Sequence, residues 1–537
     1  MGTASETSSS KRKTKRTAHI TTWLLLPILA IAVLLRIWGI DFGLPFVYHP
    51  DEPLYVRIAQ RIFKTGDLNP HFFNYPSLFL YLNALAYVPF YLVGRVAGLL
   101  SSPSDILEPL MIAMGVGRTA MPSTFLLGRC LTAAVGVASV LMAFMVGRRM
   151  AEDYRIGLVA ALALAVSPTS VRNSQLITPD TLVGFWILLS LWASLGILRV
   201  GKLSDYVIAG ITGGLAISTK YNAGLVVLPI VLAHFLRWGC KGSSEKKLYV
   251  ALVLMGLAFV LTTPYALLDH DNFWQDLRFE ARHYSTGHEG MEGDTLHWYL
   301  SYLWLTEGLL VLFSLIEVVR GIVRRSKAAI LVSFFCIVYL AFISRFVVRN
   351  DRTILPIIPL LFVLSASWWV HSYEWLRSRF NHSVRAVSFA SVVLVLLVLA
   401  MPLRQTIEND LTLATVDSRT TASSWIVENL PEGSRIVLES YAPFVDPGTF
   451  SVTAVGRMID HPADWYLSND FQYLFFGEWM YGRFYRDPDR YWEQISQYEG
   501  LFSTFRHVRT FNDGGYEVRI YQVQSQEAAG QEYQLCR

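Results

Sequence analysis

Charged residues are scarce in this sequence. They make up 16% of its 537 residues, whereas a soluble globular domain carries about 25%. Hydrophobic residues make up 53%, and apolar runs that approach the roughly 20 residues needed to cross a bilayer recur through the first three quarters of the chain. These observations exclude an ordinary water-soluble protein and predict an all-α polytopic membrane protein that has the lipid bilayer as its main solvent.

Cysteine is also scarce, and none of the four cysteines has the spacing of a metal-ligand motif or of a disulfide framework. The formal net charge of +4 is too small to indicate a nucleic-acid partner. No internal repeat is convincing, which argues against a transporter built from inverted repeats. We therefore expect no zinc site, no disulfide framework and no nucleic-acid partner.

Lys and Arg concentrate in alternate short turns between the apolar segments, so the positive-inside rule orients the chain. The basic tail of residues 1–19 and every basic turn then lie in the cytoplasm, and an odd number of crossings places the end of the chain outside. We predict eleven transmembrane segments: Ile20–Gly39, Ser123–Gly147, Tyr154–Thr169, Asp180–Leu198, Asp205–Thr219, Asn222–Leu236, Leu248–Leu267, Trp298–Val319, Ala328–Arg345, Thr353–His371 and Val384–Pro402.

The apolar stretch Ser77–Leu100 is left out of this count, because one more crossing would put every later basic turn outside. We expect one or two helices that lie along the outer interface or dip into it, helped by Pro89. Three of the predicted segments have only about 15 residues, or roughly 22 Å of helix. Such short helices imply a thinned membrane or a water-filled depression.

The sequence thus divides into the tail 1–19, a membrane domain 20–402 with a large outer loop 40–122, and a soluble extracytoplasmic domain 403–537. Hydrophobic runs stop after the last segment, and a helical pattern alternates with strand patterns. We expect a small α/β domain with these elements: a helix at Thr420–Asn429, a strand at Arg435–Glu439 and a strand at Tyr516–Val523.

Two adjacent carboxylates, Asp51 and Glu52, follow the first predicted segment and precede Pro53. Transfer of a group to a hydroxyl needs a base for the hydroxyl proton, and a carboxylate at the membrane surface can serve as that base. The alternative is that Asp51 or Glu52 caps the helix that Pro53 begins, because a carboxylate favours a helix N-terminus. The local sequence does not decide between these two interpretations.

Asp180 stands at the outer end of another predicted segment, after a polar loop that begins at Ser167. Thr178 could cap that helix with Pro179 in its first turn. Unpaired charge near hydrocarbon is expensive, however, and usually has a partner or a task. Asp180 is therefore a second candidate for the catalytic carboxylate.

Seven cations lie on the outer side of the predicted topology, against the positive-inside bias. They could hold a lipid-linked phosphate and stabilise the charge that grows on it. For any single arginine the competing interpretation is snorkelling or pairing with Asp351 or Asp51, but three of them close together favour phosphate binding. The seven are Arg129, Arg172, Lys220, Arg282, Arg345, Arg349 and Arg352.

The outer loop near residue 285 contains His283 and His288, followed by Glu289. Their spacing matches no strict metal-ligand motif. We expect a glycine-bearing loop over a substrate site, with Arg172 as a further candidate for contacts to donor or acceptor, and ordinary polar-loop histidines are the alternative. No cofactor is assigned from the sequence, and a divalent cation, Mg²⁺ or Mn²⁺, is left open.

Five motifs, taken together with their order along the chain, resemble those of the multi-span glycosyltransferases that use polyprenyl- or dolichyl-phosphate sugars. Protein O-mannosyltransferases and the enzymes that add aminoarabinose to lipid A belong to this family. The resemblance covers residues 20–402. The motifs are Asp51-Glu52, Gly128–Ala133, the loop Ser167–Asp180, Lys220 after Gly213–Ala216, and Arg352–Pro356.

The resemblance implies a GT-C fold like that of glycosyltransferase family 39, and an inverting displacement in which the polyprenyl phosphate leaves. It implies that Asp51 is the catalytic carboxylate, with Glu52 beside it in the acceptor site. It also implies that the carrier phosphate lies near three cations: Arg129, Lys220 and Arg352. The expected partners are a polyprenyl-phosphate-linked sugar and a hydroxyl-bearing glycan, lipid or protein, on the outer face of the plasma (inner) membrane.

Two departures from the family pattern limit this inference. The family's His-Pro-Pro or Lys-Pro-Pro is replaced by Asn74-Tyr75-Pro76, so this motif does not identify donor or acceptor. Trp368-Trp369 is followed by Val370-His371 and not by Asp-Tyr-Gly, which argues against en bloc glycan transfer to Asn. Two alternatives come from other functional classes: a flippase for lipid-linked sugars, which carboxylates on one membrane face do not favour, and a non-catalytic scaffold of a glycan-assembly complex.

Overall fold

The computed structural model describes residues 22–111, 116–287, 289–380 and 384–525. The predicted tail 1–19 and the candidate residue His288 lie outside the described residues. Helices dominate the chain as far as Ala414, and a five-stranded sheet organises the part that follows Asp417.

The helices of the membrane part are labelled in chain order within the described ranges. They are α1 (Thr22–Ile37), α2 (Glu52–Thr65), α3 (Leu78–Val96), α4 (Pro122–Ala151), α5 (Tyr154–Val166), α6 (Pro168–Ser174), α7 (Asp180–Arg199), α8 (Leu203–Ile217), α9 (Val227–Trp238), α10 (Lys247–Thr262), α11 (Tyr265–Leu268), α12 (His270–Thr286), α13 (Thr295–Glu307), α14 (Leu309–Val323), α15 (Lys327–Ile343), α16 (Asp351–Ile354), α17 (Ile358–Arg379) and α18 (Val384–Ala414).

Five helical segments of the described chain are long enough and apolar enough to cross a bilayer, and seven if each of two bent helix pairs counts as one span. The multi-pass membrane character is therefore shown. Helices occupy all eleven predicted segments, but eleven crossings stay a prediction. The five are Leu78–Val96, Pro122–Ala151, Asp180–Arg199, Tyr221–Ser244 and Val384–Asn429.

One predicted segment is broken in the middle. The segment Trp298–Val319 bends by 116° between α13 and α14, at Gly308, whose φ of 58° lies in the left-handed region that glycine tolerates. Apolar composition does not report such a break, so the sequence predicted a single helix. The segment Tyr154–Thr169 corresponds to α5, and the predicted loop that begins at Ser167 forms α6, which lies at 61° to α5.

One further expectation about helix length is corrected, and the expectation of one or two helices in Ser77–Leu100 agrees with the structure. Asn222–Leu236 is not a short segment, because helical turns run without interruption from Tyr221 to Ser244. The stretch Ser77–Leu100 forms the single helix α3, with Pro89 inside it, and its length and composition place it among the helices that could cross. The structure contains no bilayer, so its position relative to the membrane stays a prediction.

The boundary of the soluble domain also moves. α18 continues through Pro402 to Ala414, because a proline inside a helix removes one hydrogen bond without ending the helix wherever neighbouring helices support it. The following helix, α19 (Ser418–Asn429), begins at the N-cap Asp417, whose carboxylate accepts the backbone N–H of Arg419. The domain predicted to begin at residue 403 therefore begins near Asp417.

The C-terminal domain is a mixed sheet covered by helices on both faces. α19 packs on one face, and α20 (Ala463–Ser468) and α22 (Trp492–Thr504) cover the other; the short α21 (Glu478–Tyr481) follows β5. The predicted helix and both predicted strands are confirmed. The strands are β3 (Arg435–Glu439), β4 (Ser451–Val455), β5 (Tyr473–Gly477), β6 (Phe505–Phe511) and β7 (Val518–Ser525), in the order β4-β3-β5-β7-β6.

The site lies between two apolar cores of the membrane domain. The larger core joins α1, α4, α5, α7 and α8 to the later helices. The smaller one is built by α2 and α3 with the start of α4, and it includes Ile177 and Leu182. A short ribbon of β1 (Phe46–Val47) and β2 (Gly117–Arg118) ties the two ends of the large outer loop together, so residues 48–52 emerge from a rigid base.

Candidate active site

Asp51 occupies the N-cap position of α2, but its side chain does not cap the helix. Its carboxylate turns instead to the guanidinium of Arg352, which donates a hydrogen bond to it. The side chain is 31% exposed. The capping interpretation of Asp51 is therefore wrong, and the carboxylate is accessible to a substrate.

Glu52, one residue later, is fully buried. Arg129 donates to both of its carboxylate oxygens, at 2.9 and 2.7 Å, and the backbone N–H of Ile177 donates at 3.0 Å. Arg129 is itself fully buried; it donates to the carbonyls of Ile40 and Phe42. The pair joins the first outer loop to α4 and to the loop before α7.

This geometry does not support the expected roles of Glu52 in the acceptor site and Arg129 at the carrier phosphate. Four N–H groups of Arg129 are already bonded to protein oxygens, and neither side chain has exposed surface. A bidentate buried ion pair of this kind positions backbone segments. We therefore assign Glu52 and Arg129 a structural role.

Asp180, Lys220, Arg352 and Asp51 form a line of alternating charge. Lys220 Nζ lies 2.7 Å from Asp180 Oδ1, and Arg352 Nε lies 4.0 Å from Asp180 Oδ2. Arg352 therefore stands between the two aspartates. The members of this cluster come from four distant parts of the chain and meet where α2, α7, α16 and the turn after α8 converge.

Asp180 does not use the expected cap either. Pro179 occupies the N-cap position of α7, and Thr178 Oγ1 has no hydrogen-bond partner among the described residues. Asp180 is 1% exposed, and its Oδ2 also lacks a hydrogen-bond partner within the described chain. An unsatisfied buried carboxylate oxygen beside two cations shows that the cluster has spare hydrogen-bonding capacity at this point.

A cavity of about 220 Å³ adjoins the cluster at Lys220. Polar side chains of Asn74, Tyr75 and Glu280 line part of it, and Asn74 Nδ2 donates to Glu280 Oε2 at 3.1 Å. Apolar side chains of α12, α15 and the turn after α15 form most of the remaining wall: Leu277, Ala281, Phe342, Ile343 and Phe346. A cation at one end and hydrocarbon along the side suit a phosphate that is joined to a lipid chain.

The local charges also set the protonation of the carboxyl groups. Burial works to raise the pKa of Asp51, but the charges of Arg352 and His49 outweigh it, so this pKa lies below its ordinary value. The pKa of Glu52 is lowered in the same way by Arg129. Burial raises the pKa of Glu280, because no cation is bonded to it. Asp51 is therefore ionised at neutral pH and able to accept a proton.

The three arginines of the stretch 345–352 do not act together. Arg349 donates to the backbone carbonyl of Glu292 at 2.7 Å, and the side chain of Arg345 is exposed. Only Arg352, on α16, joins the charge cluster. The expectation that Arg345 and Arg349 hold the carrier phosphate finds no support in these contacts.

The remaining candidates lie at the edges of the site. Arg172, on α6, is exposed and lines a second cavity near His49. His283, on α12, stacks on Phe279 with a ring-centroid distance of 6.3 Å. Among the described residues, no group of three or more His, Cys, Asp or Glu side chains is arranged to hold a metal ion, so the question of Mg²⁺ or Mn²⁺ stays open.

Two further residues of the cavity wall, Glu280 and Tyr284, were not predicted from the sequence. They lie four positions apart on one face of α12. A carboxylate and a tyrosine at i and i+4 share a helix face, and these two flank the candidate residue His283, so a sequence signal was present. Their depth in a cavity was not readable from the sequence.

Comparison with known proteins agrees with this architecture. Residues 122–267 match the model of the dolichyl-phosphate-mannose-protein mannosyltransferase family. An undecaprenyl phosphate-alpha-4-amino-4-deoxy-L-arabinose arabinosyl transferase of Pseudomonas aeruginosa is 28% identical over 253 residues, which are 44% of this chain. The match spans 40% of that relative's own length.

Solved structures with a similar fold over most of the chain include the following two. ArnT from Cupriavidus metallidurans, bound to undecaprenyl phosphate, has a TM-score of 0.53 at 15% identity and covers 94% of this chain and 99% of its own. The oligosaccharyltransferase AglB from Archaeoglobus fulgidus, in complex with an inhibitory peptide and a dolichol-phosphate, has a TM-score of 0.54 at 14% identity and covers 93% of this chain and 74% of its own.

The similarity to these two structures shows the fold class: this chain has the GT-C fold. Within that fold class it resembles the enzymes that use polyprenyl- or dolichyl-phosphate sugars. The resemblance that the five motifs indicated is confirmed.

Proposed function

We propose that this protein is an inverting glycosyltransferase that moves a sugar from a polyprenyl-phosphate carrier to a hydroxyl acceptor on the outer membrane face. The observation that carries the proposal is the charge cluster beside the cavity. An ionised, accessible Asp51 lies next to Arg352 and, through it, to Asp180 and Lys220. The cavity that follows has a cationic end and an apolar wall.

The reaction needs a single displacement. The acceptor oxygen attacks the anomeric carbon while the bond from that carbon to the phosphate oxygen breaks, and Asp51 takes the hydroxyl proton. The leaving polyprenyl phosphate gains negative charge, which Lys220 and Arg352 stabilise because they are fixed in place before the reaction. The apolar wall formed by Leu277, Phe342 and Phe346 holds the first part of the polyprenyl chain.

Arg352 also controls the basicity of Asp51. In the structure it is bonded to Asp51 and lies 4.0 Å from Asp180, so it is shared between two carboxylates. A bound phosphate competes for the same guanidinium and weakens its bond to Asp51. The pKa of Asp51 then rises toward its ordinary value, which makes it a better base only when the donor is present.

The undecaprenyl phosphate carried by the ArnT structure and named for the Pseudomonas relatives supports a polyprenyl-phosphate donor for this chain. The basic turns support eleven crossings, with the N-terminus in the cytoplasm and the C-terminal domain outside the inner membrane. In this topology α3 lies on the outer side. The alternative of a flippase gains no support, since the relatives named above are described as transferases.

The test is to incubate the purified full chain in lipid nanodiscs with a panel of radiolabelled polyprenyl-phosphate sugars and hydroxyl acceptors. We expect release of polyprenyl phosphate and a product with inverted anomeric configuration. Parallel reactions with chelator and with added Mg²⁺ or Mn²⁺ decide whether a metal takes part. Movement of lipid-linked sugar across a proteoliposome membrane, without cleavage of any donor, would establish the flippase alternative.

A further inference from the structure

A second cavity, of about 320 Å³, lies between the membrane helices and the C-terminal domain. His49 and Pro50 line it, so it adjoins the loop that carries Asp51. The first cavity shares no lining residue with it. The loop before Asp51 thus borders a cavity that the proposed reaction does not use for the donor.

One edge of the C-terminal sheet lies at this cavity, because Trp479, which follows β5, lines it. β3 has β4 on one side and β5 on the other, and all three strands are parallel. The chain thus reverses its direction of winding between β3 and β5, and ligands of open α/β sheets bind in the crevice at the carboxyl ends of strands at such a point. Tyr441 follows β3 and Trp479 follows β5, with ring centroids 5.5 Å apart.

Aromatic rings form one wall of the cavity. Trp479 and Tyr516 line it with their ring centroids 4.4 Å apart. Tyr516 follows Gly514 and Gly515 in the turn between β6 and β7. Tyr441 has a φ of 68°, a backbone conformation that costs a non-glycine residue energy and often marks a functional site. Flat aromatic faces of this kind pack well against the C–H faces of a sugar ring.

The position of this wall relative to Asp51 is held by specific contacts. The hydroxyls of Tyr48 and Thr420 lie 2.5 Å apart, and the Arg419 guanidinium lies 4.0 Å from the Tyr48 ring centroid. Asp417 accepts two hydrogen bonds from the Arg419 side chain, at 2.8 and 2.7 Å. The charge of Arg419 is therefore balanced inside the protein, and its role is to fix the domain.

Arg172 is the charge that remains. It lines the cavity with an exposed side chain. The Tyr516 hydroxyl is its hydrogen-bond partner, and the charge of Asp351 acts on it from a distance, while no carboxylate of the described residues lies within 4.0 Å of its guanidinium. After Asp417 and Arg419 cancel, the cavity wall carries one net positive charge. A guanidinium that lines a largely apolar cavity favours a phosphate or a carboxylate, because little water competes for its hydrogen bonds.

We propose that this second cavity binds the acceptor, and that the acceptor is a saccharide bearing a phosphate or carboxylate group. Arg172 pairs with the anion, Trp479 and Tyr516 hold the sugar ring, and a free hydroxyl points toward Asp51. This assignment rests on the proposed function, because it gives the acceptor side of the same reaction.

The test measures binding of three small probes to the purified full chain by saturation-transfer NMR: glucose 1-phosphate, glucuronic acid and glucose. We expect millimolar dissociation constants for the two anionic sugars and binding of glucose that is about tenfold weaker. The comparison of the first two probes shows whether the site prefers phosphate or carboxylate.

Four variants locate the binding. Arg172→Gln should remove the preference for anionic sugars, whereas its control Arg435→Gln, which also removes an exposed arginine, should keep it. Trp479→Leu should weaken all three probes, and its control Trp492→Leu should not. Binding of polyprenyl phosphate is measured in every variant and should be unchanged, which also confirms that each variant is folded.

The outcomes separate this inference from the proposed function. If polyprenyl phosphate binds but the wild-type chain shows no saturable binding of either anionic sugar, or binds glucose equally well, the acceptor assignment is overturned. An anionic preference that survives Arg172→Gln also overturns it. If polyprenyl phosphate itself does not bind, the proposed function fails, while sugar binding that depends on Arg172 would still establish the cavity as a saccharide site.

Discussion

Asp51 and Glu52 are neighbours in the sequence and opposites in the structure. Glu52 is fully buried in a bidentate pair with Arg129, while Asp51 is partly exposed and shares Arg352 with Asp180. The first pair has its hydrogen bonds satisfied by protein atoms. The second leaves an open carboxylate and an orphan oxygen beside a cavity, so two adjacent acids divide into a structural and a chemical role.

The largest expected effect is a loss of turnover on substitution of Asp51, which would distinguish its chemical role from the structural role of Glu52. Asp51→Asn keeps the size of the side chain but removes the proton acceptor, so kcat should fall about 10²–10⁴-fold. Donor affinity and the melting temperature should stay close to those of the wild type. The measurement is turnover with a polyprenyl-phosphate sugar together with carrier binding. Near-normal turnover would remove Asp51 as the base and make Asp180 the leading candidate.

The second effect is on stability. Glu52→Gln leaves the buried Arg129 without its counter-charge, and breaking a buried ion pair costs about 3–5 kcal/mol. We expect a lower melting temperature or loss of monodisperse protein in detergent, with Asp51→Asn as the matched control that removes the neighbouring charge. If Glu52→Gln is as stable as Asp51→Asn but inactive, Glu52 belongs to the reaction and not to the framework.

The third effect concerns pH. In the wild type the pKa of Asp51 is held below its ordinary value, so protonation of Asp51 should not reduce kcat/KM between about pH 5 and 8. Arg352→Gln removes the main opposite charge, so this pKa rises and activity should fall as the pH is lowered through a higher value than in the wild type. Donor KM should also rise by about 10–100-fold.

The pH profile is the decisive part of the Arg352 experiment. An acid limb at the same pH in both proteins would show that Arg352 does not act on Asp51, even if the donor KM rises. A matched comparison is Lys220→Met, which removes the partner of Asp180. Lys220→Met should raise the donor KM with a smaller shift of the acid limb.

The smallest expected effect comes from the arginines that lie near Arg352 in the sequence but outside the cluster. Arg349→Gln removes one hydrogen bond to a backbone carbonyl, and Arg345→Gln removes an exposed charge. We expect less than about threefold change in donor KM, because exposed charges contribute little. A tenfold rise in either variant would return that arginine to the carrier-phosphate site.

Much of the fold was readable from the sequence because membrane helices obey simple rules. Apolar length predicted where the membrane helices lie, a helical pattern located α19, and strand and turn patterns located β3 and β7. The break at Gly308 inside an apolar segment was missed, because hydrophobicity is the same on both sides of the bend. The end of α18 was also missed, since a proline such as Pro402 ends a helix only where no neighbouring helix supports it.

By itself the sequence determined the membrane character, the helical fold, and Asp51, Asp180, Lys220 and Arg352 as candidate charges. It could not decide which acid reacts, because a carboxylate's role depends on what surrounds it in three dimensions. Only the tertiary structure buried Glu52 with Arg129 and brought Arg352 to Asp51, 301 positions away in the chain. The burial and the pairing of a charge depend on residues that are far apart in the chain, and they give the two adjacent carboxylates Asp51 and Glu52 different roles.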